Sequence, residues 1–286
     1  MQHILIFDGA PAASQALLVE AGGRTNADLF EQALSLHASD LKTFTLNVAD
    51  GEHLPQGLSI GDFDAVVITG SPLNIYRREP AVTRQIELAR DIFGAGIPTY
   101  GSCWGLQLMC TALGGAVRLN PKGREIDIAR TILRTAAGRE HALLRGKDQA
   151  FDALCSHEDE VETLPDDAVV LARNRVSDVQ AVQIERGSSS FWGVQYHPEF
   201  NFGQVTAIMS RRRERFVTEG YVRHIEDIDR IVADLQALER DPARRDIAWM
   251  HGLDAHVTDP HLRTIEFGNW LEARVRPFAA KRAAAA

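Results

Sequence analysis

The sequence predicts an α/β protein: a three-layer α/β/α domain with a mostly parallel central sheet, followed by a helical C-terminal extension. Three observations carry that prediction. Short β-branched or aromatic runs alternate with helical patterns through the first two-thirds of the chain, the rhythm that builds a parallel sheet covered on both faces. From Ile126 strand-like runs follow one another with little helix between them. Beyond Asn201 apolar residues recur at spacings of three and four.

The opening segment 3–7, Ile-Leu-Ile-Phe after His3, reads as the first strand. A helix follows in which Leu29, Ala33 and Leu36 share one face and Thr25 or Asn26 caps the start. Strands are expected at 42–48, 64–69, 97–100 and 116–119, with a helix at 82–93 where Val82, Ile86, Ala89 and Phe93 repeat at helical spacing. The later runs 128–133, 168–172, 179–184 and 191–195 read as antiparallel additions, with 185–190 as a hairpin connection. In the extension, Val222, Ile225, Ile228, Ile231, Val232, Leu235 and Leu238 form one apolar stripe. A polar stretch over 241–260 then leads to a second helix near 262–275. The expected division is residues 1–202 as the α/β domain and 203–286 as an extension that packs on it or serves a partner or homodimer contact.

Composition narrows the function classes. Hydrophobic residues make up 45% of the 286 positions and charged residues 24%, an ordinary globular balance. A net charge of −8 does not favour a nucleic-acid surface or an anionic membrane. The N-terminus lacks the basic and apolar regions of a signal peptide, and no run approaches the ~18 apolar residues of a membrane span. Three cysteines cannot all pair and have no metal-site spacing, so a reducing cytoplasm is the expected compartment.

The segment Ile97-Pro98-Thr99-Tyr100-Gly101-Ser102-Cys103-Trp104-Gly105-Leu106-Gln107 carries chemistry. An apolar strand runs through Gly-x-Cys-x-Gly into a helix, the layout of a nucleophile elbow. Glycines permit the sharp turn, and the helix macrodipole favours negative charge at Cys103. The N–H of Trp104 can supply half of an oxyanion hole. A buried cysteine between two glycines can also be mere packing, but a base is on offer. Gly193-Val194-Gln195-Tyr196-His197-Pro198-Glu199-Phe200 ends a strand with His and Glu two residues apart, a spacing at which Glu199 can orient the imidazole of His197.

These two segments, with Ile68-Thr69-Gly70-Ser71-Pro72, resemble the class I, triad-type glutamine amidotransferases over roughly residues 1–202. The nearer likeness is to stand-alone proteins similar to the amidotransferase half of GMP synthetase, whose Ser-His-x-Asp-x-Val segment is matched by Ser156-His157-Glu158-Asp159-Glu160-Val161. The resemblance implies a flavodoxin-like fold, no cofactor and no metal. It implies a catalytic group of Cys103, His197 and Glu199, an oxyanion hole from Gly70 and Trp104, and substrate contacts from Gln107, Ser71 and His157. The implied reaction takes the side-chain amide of glutamine to glutamate and ammonia through a γ-glutamyl thioester. Many relatives carry Gly-Gly-Pro where this chain has Gly70-Ser71-Pro72, and Ser restricts that backbone more than Gly does.

No Gly-rich P-loop and no second α/β unit follow, so the chain has no synthetase site of its own for the ammonia. Either a separate synthetase subunit receives it or the protein acts alone. Acting alone, the same triad would hydrolyse glutamine or another γ-glutamyl amide, with substrate choice set by a wall that includes Asn74, Tyr76 and the extension. A non-catalytic regulatory or scaffolding module is the alternative of another class, and an intact triad argues against it. Other groups are discounted. The His251, Asp254, His256, Asp259 and His261 cluster matches no metal pattern and reads as a connector. Arg211, Arg212, Arg213 and Arg215 read as a solvated helix face, and Cys110 and Cys155 as core.

Overall fold

The structure, a computed structural model, describes residues 1–285. Its main sheet has nine strands in the order β2-β1-β3-β4-β11-β10-β9-β6-β7, and β5 pairs with β8 in a separate ribbon. The strands are β1 (Gln2–Asp8), β2 (Leu41–Asn47), β3 (Ala65–Ile68), β4 (Thr99–Ser102), β5 (Ala116–Leu119), β6 (Glu125–Arg134), β7 (Ala150–His157), β8 (Asp159–Thr163), β9 (Ala168–Arg173), β10 (Ala181–Arg186) and β11 (Ser189–Val194). From β2 across to β11 every pairing is parallel; from β11 outwards to β7 every pairing is antiparallel. The predicted alternation and the predicted antiparallel additions therefore meet at β11, the strand that leads to His197.

The parallel half is a two-sided core because its inner strands β1 and β3 carry short apolar runs, residues 4–7 and 65–68. Along β1 and β3, Leu5, Phe7, Val66 and Ile68 face one helical layer. Ile4, Ile6, Ala65 and Val67 face the other, as the two-residue period of a strand requires. The body's helices are α1 (Ala12–Glu20), α2 (Asn26–Ser35), α3 (Pro80–Gly94), α4 (Trp104–Ala112) and α5 (Ala136–Glu140). Helices α3 and α4 cover the first face, through Val82, Ile86, Ala89, Phe93, Leu106 and Met109. Thr25 caps α2, its hydroxyl accepting from Asp28 N at 3.1 Å. Asn26 points elsewhere, to the site described below.

After Asn201 the chain is helical: α6 (Phe202–Thr218), α7 (Ile225–Arg240), α8 (Arg245–Met250), α9 (Ala255–Thr258), α10 (Pro260–Arg263) and α11 (Ile265–Trp270). A π-turn over Leu271–Val275 then leads into α12 (Arg276–Ala285). The single helix expected at 262–275 is thus broken into short pieces, because Thr264 interrupts the first and the π-turn the second. Helices α6 and α7 bury Val205, Met209, Phe216, Ile228, Leu235 and Leu238 against Leu29, Ile126 and Leu154 of the body. Phe267 and Trp270 of α11 meet Tyr100 of β4 with ring centroids 4.8 and 5.8 Å apart. The extension covers the second face of the sheet beside α2. No helix among the described residues is long and apolar enough to cross a membrane.

Candidate active site

Strand β4 delivers Cys103 and strand β11 delivers His197, and the two strands are parallel neighbours in the middle of the sheet, with Ser102 beside Val194. Adjacent parallel strands end at the same edge, so both side chains emerge at one carboxyl end of the sheet. Cys103 sits between β4 and α4 with φ 50° and ψ −101°, a strained conformation for a non-glycine residue. Its N–H donates to Val194 O at 2.8 Å, which ties the turn to β11. Helix α4 can start this abruptly because Gly101 and Gly105 are bare. A Cβ on Gly105 would lie 2.5 Å from Ile68 O, and one on Gly101 would lie 2.7 Å from Gly105 C.

His197 is fixed on three sides. Its Nδ1 lies 2.7 Å from Glu199 Oε1, which also accepts from Ser102 Oγ at 2.8 Å. The ring stacks on Phe200, centroids 3.8 Å apart at 5°. The backbone of Gly70 closes the other side, where a Cβ would come within 2.8 Å of His197 Cε1. Burial alone would lower the imidazole pKa, but the Glu199 charge and the neighbouring Cys103 sulfur outweigh it and raise the value to about 10. Glu199 Oε2 is buried with no hydrogen-bond partner.

A cavity of about 170 Å³ opens over the thiol. Cys103, His197, Gly70 and Ser71 line it, so the structure brings four of the predicted site residues together. Trp104 lies directly behind. It is the first residue of α4, where an N–H has no intrahelical acceptor, and its indole is held by Gln85 at 2.8 Å. The Gly70 carbonyl accepts from Asn26 Nδ2 at 3.0 Å and from Thr69 Oγ1 at 3.1 Å, which fixes the loop that presents Gly70 and Ser71.

The other two predicted contacts do not line this cavity. Gln107 is buried, donating to Asp159 O and Gln195 Oε1, each at 3.2 Å. His157 is buried between Glu125 Oε2 at 2.9 Å and Asp159 O at 3.1 Å. Asn74 and Tyr76 also turn away, both towards Asp159. Cys110 and Cys155 are fully buried, and burial pushes the Cys110 thiol up to about 12 and Cys155 well above its ordinary range. The histidines of the connector go to separate partners: His251 to Asp234, His256 to Asp148 and His261 against His37.

One expectation is corrected by this geometry. Arg211 and Arg212 are not simply a solvated face, since both line the thiol cavity with Gln204 and Ile208 of the same helix. Their positions, 204, 208, 211 and 212, follow the i, i+4, i+7, i+8 spacing of one helical face. Asn26 and Gln15, also in the lining, carry no sequence signature of their own.

The family described as glutamine amidotransferase class-I matches residues 20–212. The chain belongs to this family. A γ-glutamyl-L-1-hydroxyisopropylamide hydrolase from a Pseudomonas species is 33% identical over 98% of this chain and 95% of its own length. The GMP synthase of Aeromonas hydrophila is 31% identical over 54% of this chain, which spans only 28% of that protein. Among solved structures, a glutamine amidotransferase from Methylobacillus flagellatus superposes with a TM-score of 0.61 at 18% identity, over 98% of this chain and 95% of that one. That likeness extends the shared fold through the C-terminal helices of this amidotransferase-family chain.

Proposed function

We propose that the protein hydrolyses a γ-glutamyl amide through a thioester on Cys103. Supporting this reading most directly is the convergence of Cys103 and His197 at one cavity, with Glu199 bonded to the far side of the imidazole and a bare backbone at Gly70 facing the ring. The Cys103 sulfur adds to the γ-carbonyl carbon, and the N–H groups of Gly70 and Trp104 stabilise the oxyanion. His197, protonated beside the thiolate, gives its proton to the departing nitrogen, and the C–N bond breaks to leave the thioester. His197 then takes a proton from water, the hydroxyl adds to the thioester carbon, and glutamate leaves as the sulfur recovers the electron pair. Glu199 holds the Nδ1 proton throughout and so fixes which ring nitrogen faces the reaction.

Either glutamine or an N-substituted γ-glutamyl amide fits this chemistry. The substituted amide is favoured by the end-to-end likeness to the Pseudomonas hydrolase, against a match to GMP synthase confined to part of that enzyme. On this reading no synthetase subunit is needed to receive the leaving group. Release of amine and glutamate from L-glutamine, γ-glutamyl ethylamide and γ-glutamyl 2-hydroxyalkylamides should be measured beside Cys103→Ala. The expected result is turnover of the substituted amides with higher kcat/KM than glutamine, lost in the variant. Turnover of glutamine alone would restore the glutaminase reading, and amide turnover that survives Cys103→Ala would overturn the mechanism.

A further inference from the structure

The thiol cavity is asymmetric in charge. Cys103, His197 and the Gly70–Pro72 loop line part of it; the stripe of α6 that carries Gln204, Ile208, Arg211 and Arg212 lines another part. Nothing in the chemistry at Cys103 uses that second part. Arg211 and Arg212 form no ion pair with Asp or Glu among the described residues, while their neighbours Arg213 and Arg215 do. Gln204 is buried, accepts from Arg24 N at 2.8 Å through Oε1, and leaves Nε2 without an acceptor. Arg212 is half-buried and has Arg124, Arg215 and Arg211 around it, with Glu158 as the opposing carboxylate. Glu158 is already engaged by Arg124 and Arg215. Helix α6 also departs from helical geometry at Arg212, with φ −118° and ψ 16°.

A half-buried guanidinium that shares its one nearby carboxylate with two other arginines is costly, and it is usually kept where an anion will arrive. A γ-glutamyl amide always brings one, the α-carboxylate, and its leaving amine can bring a second. Resting on the proposed γ-glutamyl specificity, we infer that Arg211 and Arg212, with Gln204 behind them, form a carboxylate subsite that anchors the substrate over Cys103. A planar guanidinium suits a carboxylate bidentately, and the fixed helical stripe sets the distance from anchor to thiol. The subsite acts by binding and orientation, so it belongs in KM more than in kcat.

The test uses three amides on the full chain: γ-glutamyl ethylamide, its counterpart without the α-carboxylate (N-ethyl-4-aminobutanamide), and γ-glutamyl glycine, which adds a carboxylate on the leaving side. Wild type should prefer the first over the second, and Arg212→Met should raise KM for the first by about 10- to 100-fold with kcat nearly unchanged, erasing that preference. Arg212→Lys should recover part of the loss, and Arg211→Met and Gln204→Leu should show smaller losses in the same direction. If instead only γ-glutamyl glycine responds to Arg212→Met, the anchored carboxylate is the leaving group's, and the subsite stands with that occupant. Unchanged KM for both γ-glutamyl compounds in Arg212→Met would overturn the inference while leaving the γ-glutamyl reading intact. Absence of Cys103-dependent turnover of any of the three in wild type would sink that reading, and the subsite with it.

Discussion

At His197 two neighbouring groups oppose the effect of burial. The ring is buried, yet Glu199 on one side and the Cys103 sulfur on the other raise its pKa to about 10. The folded chain therefore keeps a proton that the unfolded chain releases near the ordinary value of 6.5. The stability this linkage contributes is full below about pH 6.5 and is lost as pH rises through about 10. Glu199→Gln should shrink that contribution, so the gap between wild type and variant in urea unfolding should narrow between pH 7 and pH 10. The same variant should lower kcat by about 10²- to 10⁴-fold, because a neutral amide cannot balance the imidazolium. Circular dichroism at pH 7 checks that the fold survives, and a kcat within about threefold of wild type would mean that Glu199 does not orient the base.

At the scale of elements, the site depends on how closely α4 approaches β3 and β4. The Cβ of Gly105→Ala would meet backbone at 2.5 Å, and a strand carbonyl cannot swing aside as a side chain can. The substitution should destabilise the protein by about 1–3 kcal/mol and displace Cys103, lowering alkylation by iodoacetamide; native stability and reactivity would refute this account of the glycine. The same elements show what the sequence made legible. The Gly-x-Cys-x-Gly elbow and the His-Pro-Glu strand end were readable because each packs a turn signal, a nucleophile or base and an apolar run into a few residues. The inner strands were readable for the same reason, as with Ile4-Leu5-Ile6-Phe7. Strand β7 was not, since Ala150-Phe151-Asp152-Ala153-Leu154-Cys155 has no β-branched residue and its pairing with β6 is a long-range fact. Helix α1 was missed too, because it buries none of its residues and so leaves no stripe to read. The role of α6 was hidden differently: a run of arginines looks alike whether it faces water or a cavity, and only the placement of Gln204 and Ile208 on the same stripe distinguishes them.

Over the whole molecule, the helices after Asn201 are tied to the catalytic edge. Tyr196, the residue before His197, donates its hydroxyl to Glu266 Oε1 of α11 at 2.7 Å, and Lys147 Nζ lies 3.3 Å from the same oxygen. All three side chains are buried, so burial raises the Glu266 carboxyl pKa and lowers the Lys147 ammonium, each opposed by the other's charge. Removing one partner strands the other in a dry interior. Glu266→Ala should therefore cost about 3–5 kcal/mol in urea unfolding, whereas a surface carboxylate such as Asp246 should cost almost nothing when replaced. A loss below about 1 kcal/mol for Glu266→Ala would show that the extension is not locked to the body through this group. The fold covers one face of its sheet with its own C-terminal helices and lends one of them to the thiol cavity.

The proposed mechanism requires a covalent γ-glutamyl group on Cys103. Acid quench during turnover of γ-glutamyl ethylamide, followed by mass spectrometry of the Cys103 peptide, tests it most directly. A glutamyl adduct on that peptide is expected in wild type and not in Cys103→Ala. Steady turnover with no adduct at Cys103 at any quench time, and undiminished in Cys103→Ala, would contradict it.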